Sequence, residues 1–433
     1  MELISLFRNL TIELRYIITN YNHRIIFILP KSELIKYDWF KLMKMNFSLT
    51  YEKGIFSNEE MMRIYFFKCG KSRLISGSRQ TIVRLTDGTL IGFGCHYIDN
   101  RCPDPDTNTL NRIGQIPNIR EIVRGCHTII RLKNRTLMAT GVNLFGELGH
   151  ERNIESDTIN EIIGIKNVKK VACGVFHTLI ILTDGRLMSC GFNGSGQLGL
   201  GDNFNRCRFT EITGLPNAVS EVMCGNQNTI IMLTDGTLMS TGANLNGELG
   251  LGNYHNQNTF QEIKGIGKNI IAKIACGRNH TFISLLDGRL MGCGNNFYGQ
   301  LGLGDRLNRN VFTEIFPRKN IVDVVCGSSH TLVLLTDGKL MSCGANGNGE
   351  LGLGRVFEAV TVFIEVIGVG RNIAELLCGN HHTIIRLTDG RLMGCGYNNY
   401  GQLLFPEYST HERNYSFTEI KKYSKLKKKC VIS

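Results

Sequence analysis

The sequence predicts an all-β chain built as a closed ring of seven repeated units, with a small N-terminal extension of mixed or helical structure. Three observations carry this prediction. A block reading VACGVFHTLIILTDGRLMSCGFNGSGQLGLGD at 171–202 recurs along most of the 433 residues. Most copies set an Asp-Gly turn between two short apolar runs. Against only 7 Pro stand 49 Gly, an excess that marks many tight turns rather than flexible linkers.

The turn residues Asp87, Asn134, Asp184, Asp235, Asp287, Asp337 and Asp389 anchor seven units, separated by 47, 50, 51, 52, 50 and 52 residues. In the third unit the run Thr178 to Leu182 meets Thr183-Asp184-Gly185 and then a second run, Leu187 to Cys190. Both runs are too short for helices. Asp-Gly between them signals a hairpin, because the turns that match strand twist need residues tolerant of positive φ. The second unit has Asn134-Arg135 instead, and Arg in the glycine place predicts a strained or differently shaped turn. A glycine-rich segment follows each hairpin (Gly191 to Asp202, Gly242 to Asn253, Gly294 to Asp305, Gly344 to Gly354), then a short strand around Phe209, Phe260, Phe312, Phe363 or Phe417. Three or four strands per unit result. One such sheet cannot bury both its faces, so the units must stack, and a ring removes the open ends. The strand Phe417 to Ile420 is expected to complete the first unit, whose hairpin around Asp87 has only irregular sequence before it.

Hydrophobic residues make up 42% of the chain, normal for a protein with a core. The 15 Cys contain no C-x-x-C pair, and four pairs at equivalent places in their units share one spacing (Cys173/Cys190, Cys276/Cys293, Cys326/Cys343, Cys378/Cys395). That is a repeat signature, and reduced thiols filling a core explain it better than zinc or disulfides. No metal and no cofactor are implied. The net charge of +12 is concentrated outside the repeats: residues 1–73 carry +5, 406–433 carry +4, and the long middle only +3. Polyanion attraction is therefore expected of the tails and not of the repeats. No apolar run approaches the roughly 20 residues of a membrane span, and Glu2 and Arg8 stand where a signal peptide is apolar. The expected location is the cytoplasm or the cytoplasmic face of membranes, with the nucleus as the alternative.

The patterns CGxxHT, TDG and GxNxxGQLGLG resemble those of the regulator of chromosome condensation repeat family over residues 72 to 420. The resemblance implies a seven-bladed β-propeller; WD-type and kelch-type repeats fit less well, lacking here the Trp-Asp dipeptide and the paired glycines. It also implies a choice of functions: nucleotide exchange on Ran-like GTPases, scaffolding, ubiquitin-ligase modules, or light reception. Light reception relies on clustered tryptophans, and the single Trp is Trp39, outside the repeats. Exchange activity suggests an acidic residue before one repeat His; the residues there are Cys126, Phe176, Gln227, Asn279, Ser329 and His381. No insertion between hairpins offers a wedge for a nucleotide site. The favoured reading is a non-catalytic protein-interaction propeller, a membrane-anchored regulator or scaffold that binds a small GTPase or another protein. The alternatives are a guanine nucleotide exchange factor for a Ran-like GTPase, and a chromatin- or nucleic-acid-associated propeller acting through a basic tail.

His177, His280, His330 and His382 precede Thr in the repeats; Asn228 and Gln80 take equivalent places, and His127 follows a shorter loop. A residue class repeated around a ring is architecture, whereas an active site needs one asymmetric constellation. No catalytic residue is assigned. Gly70-Lys71-Ser72 is not a phosphate loop, since Tyr65 stands where its first glycine is required. Partner binding is assigned to the variable loops Tyr97 to Asn118, His150 to Ile159 and Leu404 to Ser416. The first leads: with Asp99, Arg101, Asp104 and Asp106 it replaces GQLGLG by a stretch holding Cys102, Pro103 and Pro105. Its alternative is a degenerate unit beside the closure point.

Cys430-Val431-Ile432-Ser433 matches a prenylation signal, with Ser favouring farnesyl. Upstream lie Lys421, Lys422, Lys425, Lys427, Lys428 and Lys429. One lipid gives marginal membrane residence and each Lys adds about 1 kcal/mol near an anionic leaflet, so together they form a two-signal anchor. The alternative is a nuclear-import or polyanion-binding tail. At the other terminus Leu3, Phe7, Leu10, Leu14 and Ile17 follow helical spacing, Ile25 to Leu29 reads as a strand, and Glu33 to Met45 as a second helix holding Trp39. The domains are thus 1–71, 72–420 and 421–433.

Overall fold

The second strand of each repeat is apolar on both sides, and the architecture follows from the need to cover both. The computed structural model describes residues 29, 31–34, 36–47, 50–51, 56–69, 74–77, 80–84, 89–94, 111–150, 156–268, 270–316, 321–354, 358–403 and 413–420. Within these, seven four-stranded antiparallel sheets form, each with its strands in chain order. Blades 1 to 7 begin at Leu74, Ile119, Val168, Val219, Ile271, Ile321 and Ile373. Blade 3 is representative, with strands Val168–Cys173, His177–Leu182, Leu187–Gly191 and Arg206–Ile212.

Side-chain alternation explains the stacking. Leu179 and Ile181 of blade 3 pack against Val222 and Ile231 of blade 4. Ile180 and Leu182, pointing the other way, pack against Ile129 and Leu137 of blade 2. The same interleaving recurs between blades 1 and 2, 4 and 5, 5 and 6, and 6 and 7. The core is therefore distributed between blades, each buried Leu or Ile contributing about 1.5–3 kcal/mol. Cys190, Cys293, Cys343 and Cys395 are buried in these layers as free thiols.

The hairpins form on Gly185 at φ +89 and its equivalents. Arg135 takes φ +69, so that turn is strained as expected. It keeps the common shape, however: Arg135 N–H reaches Leu132 O at 3.0 Å just as Gly185 N–H reaches Leu182 O. The glycine-rich segments lock one blade to the next. Gly201, Gly252, Gly304 and Gly354 each donate an N–H at 2.8 Å to the outer strand of the following blade, through Asn258, Asn310, Thr361 and Tyr415 O. Edges that would otherwise be open are capped in this way.

Closure differs from the sequence expectation. The last strand, Asn414–Glu419, pairs with Leu392–Gly396 of blade 7 (Met393 opposite Glu419) and does not complete blade 1. The Phe-containing strand is the fourth of its own unit, so every blade is a continuous meander and no strand is exchanged. Side chains join blade 7 to blade 1 instead: Thr81 Oγ1 donates to Gln402 O at 3.2 Å and lies 3.5 Å from His382 Nε2.

The extension also differs. The single helix expected over Glu33 to Met45 is two, α1 (Lys31–Leu34) and α2 (Trp39–Phe47), because Asp38 caps the second by accepting Lys41 N–H at 3.1 Å. A further helix, α3 (Asn58–Cys69), was not anticipated. It begins with a reciprocal capping box, Glu60 N–H on Ser57 Oγ and Ser57 N–H on Glu60 Oε2. Tyr37, Trp39, Met43, Met61 and Tyr65 form its core together with Leu286 of blade 5. Thr336 Oγ1 of blade 6 donates to Glu60 Oε1 at 2.7 Å. The helices thus sit on blades 5 and 6. The helical pattern Leu3 to Ile17 and residues 25–28 lie outside the described residues. Among those described, no helix is long and apolar enough to cross a membrane.

Candidate partner-binding face

Four antiparallel strands per blade give the ring two unlike ends. At the turn end lie the Asp-Gly hairpins, where Asp184, Arg186 and Glu211 form a small ion cluster repeated by Asp287, Arg289 and Glu314. Backbone N–H donation from Thr237 and contact with Lys268 hold the Asp235 carboxyl down at about 2. The helical extension covers this end over blades 5 and 6. The opposite, loop end carries the GxxHT loops and the glycine-rich segments.

Beneath the loop end runs a buried ladder. Thr178 Oγ1 donates its one proton to Glu147 O at 2.7 Å. Its 2.6 Å contact with His127 Nε2 therefore requires the imidazole to donate, which fixes the tautomer with the proton on Nε2. The clasp repeats with His177 on Thr229 (3.1 Å), His280 on Thr331 (3.1 Å) and His330 on Thr383 (3.2 Å). Each time a blade's His reaches the next blade's Thr. Burial keeps these rings neutral, pushing His127, His177, His280 and His382 down to about 3 and His330 to about 4. Neutral rings with Nε2 engaged on a neighbour are joints between blades. They do not offer a catalytic base.

The loops above are rigid for a second reason. In each, the repeated Asn accepts the N–H of a Leu five residues on: Asn193 from Leu198, Asn244 from Leu249 and Asn296 from Leu301, at 2.9–3.0 Å. The Gln or Glu beside that Leu accepts an N–H from the tip, as Gln300 does from Tyr298 and Glu248 from Asn246. Between these pins projects a tip residue, and its identity varies: Leu144, Gly194, Leu245, Phe297, Gly347 and Asn399 in blades 2 to 7. Leu144, Leu245, Phe297 and Tyr298 are exposed, as are Phe204 and Leu307 farther along the same segments. Phe145 stacks edge-on with Phe176 and tilts against Phe192. His381, also exposed, lies 3.8 Å from the buried Glu350, whose carboxyl His381 helps to hold below its ordinary range against the upward push of burial.

Asp99, Arg101, Asp104 and Asp106 lie outside the described residues, as do Cys430, Lys421, Lys422, Lys425, Lys427, Lys428 and Lys429. Of the other two variable loops, Ser156 to Ile159 and Asn414 to Ser416 belong to outer strands. The exposed tips were missed. Their signal was a large apolar residue directly after the repeated Asn, where Gly194 and Gly347 show that glycine suffices. No group of three or more His, Cys, Asp or Glu among the described residues is arranged to hold a metal ion.

Comparison with known proteins agrees with this architecture. Two sequence profiles described as "Regulator of chromosome condensation (RCC1) repeat" match the chain, one at 168–197, 271–300, 321–350 and 378–402, the other at 184–232, 235–284 and 287–334. The ultraviolet-B receptor UVR8 of Arabidopsis thaliana is 37% identical over 93 residues, 22% of this chain and 21% of that protein. The X-linked retinitis pigmentosa GTPase regulator of Canis lupus familiaris is 36% identical over 89 residues, 21% of this chain and 9% of that protein. The chain thus spans about a fifth or less of these relatives. Among solved structures, yeast RCC1 (Prp20) bound to Kap60 superposes with TM-score 0.66 at 18% identity, covering 81% of this chain and 88% of that one. Human WBSCR16 gives TM-score 0.63 at 22% identity over 72% and 84%. A second structure of Prp20p, from Saccharomyces cerevisiae, whose title names binding to Gsp1p and histones, gives 0.63 at 18% over 86% and 90%. These structural likenesses establish the propeller fold.

Proposed function

The chain belongs to the regulator of chromosome condensation repeat family, and from that premise we propose that it is a non-catalytic interaction propeller that receives a protein partner on its loop end. One observation carries the reading: large apolar side chains project from pinned loops at that end, while hairpin ion clusters and helices occupy the other. Exposed apolar groups on rigid loops mark interaction surfaces. The partner class is a small GTPase, a reading supported by a relative named a GTPase regulator and by a solved relative whose title names Gsp1p. The test is binding and nucleotide release across a panel of small GTPases. Stoichiometric binding without faster release supports the scaffold; release at catalytic amounts of propeller moves the protein to the exchange factors; no binding removes the GTPase. The basic tail with Cys430 adds attachment to the cytoplasmic face of membranes. Membrane partition of the full chain beside Cys430→Ser checks it, and a tail that instead gives salt-sensitive binding to DNA supports the chromatin alternative.

A further inference from the structure

The apolar tips are not spread evenly. Leu245 and Phe297 stand on the adjacent blades 4 and 5, whereas the tips on either side are Gly194 and Gly347. Their exposure is 72% and 60%, and that of Leu307, on the same segment of blade 5, is 67%. Tyr298 braces Phe297 edge-on, with ring centroids 5.0 Å apart. Isolated exposed leucines need no explanation, but a group on neighbouring loops, continued on blade 3 by Phe204, does.

Hydrogen bonds from amide groups tie this group into one platform. Asn295 Nδ2 donates to Asn246 Oδ1 at 2.9 Å, joining the Leu245 loop to the Phe297 loop. Asn295 N–H also reaches Asn279 O, beside Arg278, at 2.7 Å. Asn296 Nδ2 binds Asp305, whose carboxylate accepts Leu307 N–H at 3.0 Å. A partner would therefore meet apolar groups already held in place, with little ordering entropy left to lose.

The unpaired charges around the platform have one sign. Arg278 and Arg306 are exposed and have no carboxylate partner among the described residues. The nearby carboxylates are occupied: Asp305 pairs with Arg309 at 2.6 Å, and Glu248 is buried beneath the tip with Oε2 on Asn246 N–H. We propose that blades 4 and 5 form the principal contact for a protein segment that carries carboxylates beside bulky apolar side chains. A nucleic acid would leave the apolar tips uncovered, and the chain's own lysine-rich stretch has the wrong sign. The proposal rests on the interaction reading above and specifies its partner.

Fluorescence anisotropy on the full chain tests it with two labelled synthetic peptides. One alternates Asp and Glu with Leu and Phe; the other has Lys in place of the acids. The acidic peptide is expected to bind the wild-type chain and to lose roughly tenfold or more in affinity with Leu245→Ser/Phe297→Ser and with Arg278→Glu/Arg306→Glu. It should bind Leu144→Ser unchanged. The Lys peptide should bind only Arg278→Glu/Arg306→Glu, a gain that misfolding cannot produce. Equal binding of both peptides by the wild type, or an equal loss with Leu144→Ser, overturns the proposal. A GTPase that binds both double variants as well as the wild type overturns this location and leaves the interaction reading standing; a silent GTPase panel with the peptide pattern intact does the reverse.

Discussion

Replacing His177 by Asn should remove one proton from the acid sensitivity of the ring while changing its packing little. Asn228 already occupies the equivalent place in blade 4, where Thr281 Oγ1 still donates to Glu248 O at 2.9 Å. Burial holds His177 at about 3, against about 6.5 in an unfolded chain. As pH falls through 6.5 the unfolded state takes up the proton and the folded state does not, so the contribution is complete above 6.5 and is lost progressively toward 3. Between pH 7 and pH 5 that amounts to roughly 2 kcal/mol for one such imidazole. His127, His280, His330 and His382 behave alike. All five act in the same direction, so acidification toward pH 5 weakens the ring more than any one of them would alone. Urea unfolding of wild type and His177→Asn at pH 7 and pH 5 reads the effect directly. The variant should lose about 1 kcal/mol at pH 7, the worth of one hydrogen bond. Its further loss on acidification should be smaller than that of the wild type by roughly 2 kcal/mol. Equal losses on acidification would refute the assignment of His177 as a neutral buried joint.

Three further outcomes follow from the geometry. Arg135→Gly should raise the melting temperature by relieving a left-handed conformation that costs about 1–2 kcal/mol, partly offset by the entropy glycine adds to the unfolded chain. Gly174→Ala should destabilise by about 1–3 kcal/mol, because the new methyl would lie 2.0 Å from His177 Cε1 and 2.7 Å from Gly225 O; a melting temperature equal to wild type would contradict it. Glu60→Ala removes both the cap of α3 and its bond to Thr336, so limited proteolysis should cut the helical extension faster while the propeller core survives; unchanged cleavage would mean that apolar packing alone holds it.

The blades were legible because their determinants are local and repeated. Thr178 to Leu182, Asp184-Gly185 and Leu187 to Cys190 state the strand, turn and strand of one hairpin within a few residues, and seven copies remove ambiguity. Closure was not legible, since a Phe-containing strand reads the same whether it ends its own sheet or completes another. The pairing of Met393 with Glu419 decides it, and only three-dimensional geometry supplies that. Helix α3 announced itself through Ser57-Asn58-Glu59-Glu60 but has no marked apolar stripe, and periodicity passed over it. The loop-end tips were hidden by their neighbours: Leu245 and Phe297 sit inside motifs so regular that the whole segment reads as turn. The variable loops drew attention because they break the pattern in length, whereas the tips break it only in side chain.

That distinction separates scaffold from site elsewhere in the ring. The third residue of each described first strand from blade 2 to blade 7 is charged: Glu121, Lys170, Glu221, Lys273, Asp323 and Glu375. Lys170 pairs with Glu221 and Lys273 with Asp323, each bridging two blades. Glu121 and Glu375 instead take Arg131 and Arg386 from their own second strands, at 2.9 and 2.8 Å. Every charge is answered by a neighbour, so this variation is structural bookkeeping around the axis and leaves nothing for a ligand. At the loop end Arg278 and Arg306 vary in the same way but are answered by nothing in the described chain, and they flank exposed Phe297 and Leu307. Unanswered charge beside uncovered apolar surface, held on hydrogen-bonded loops, is a configuration that the packing of the blades does not require, and it supports the proposed contact surface.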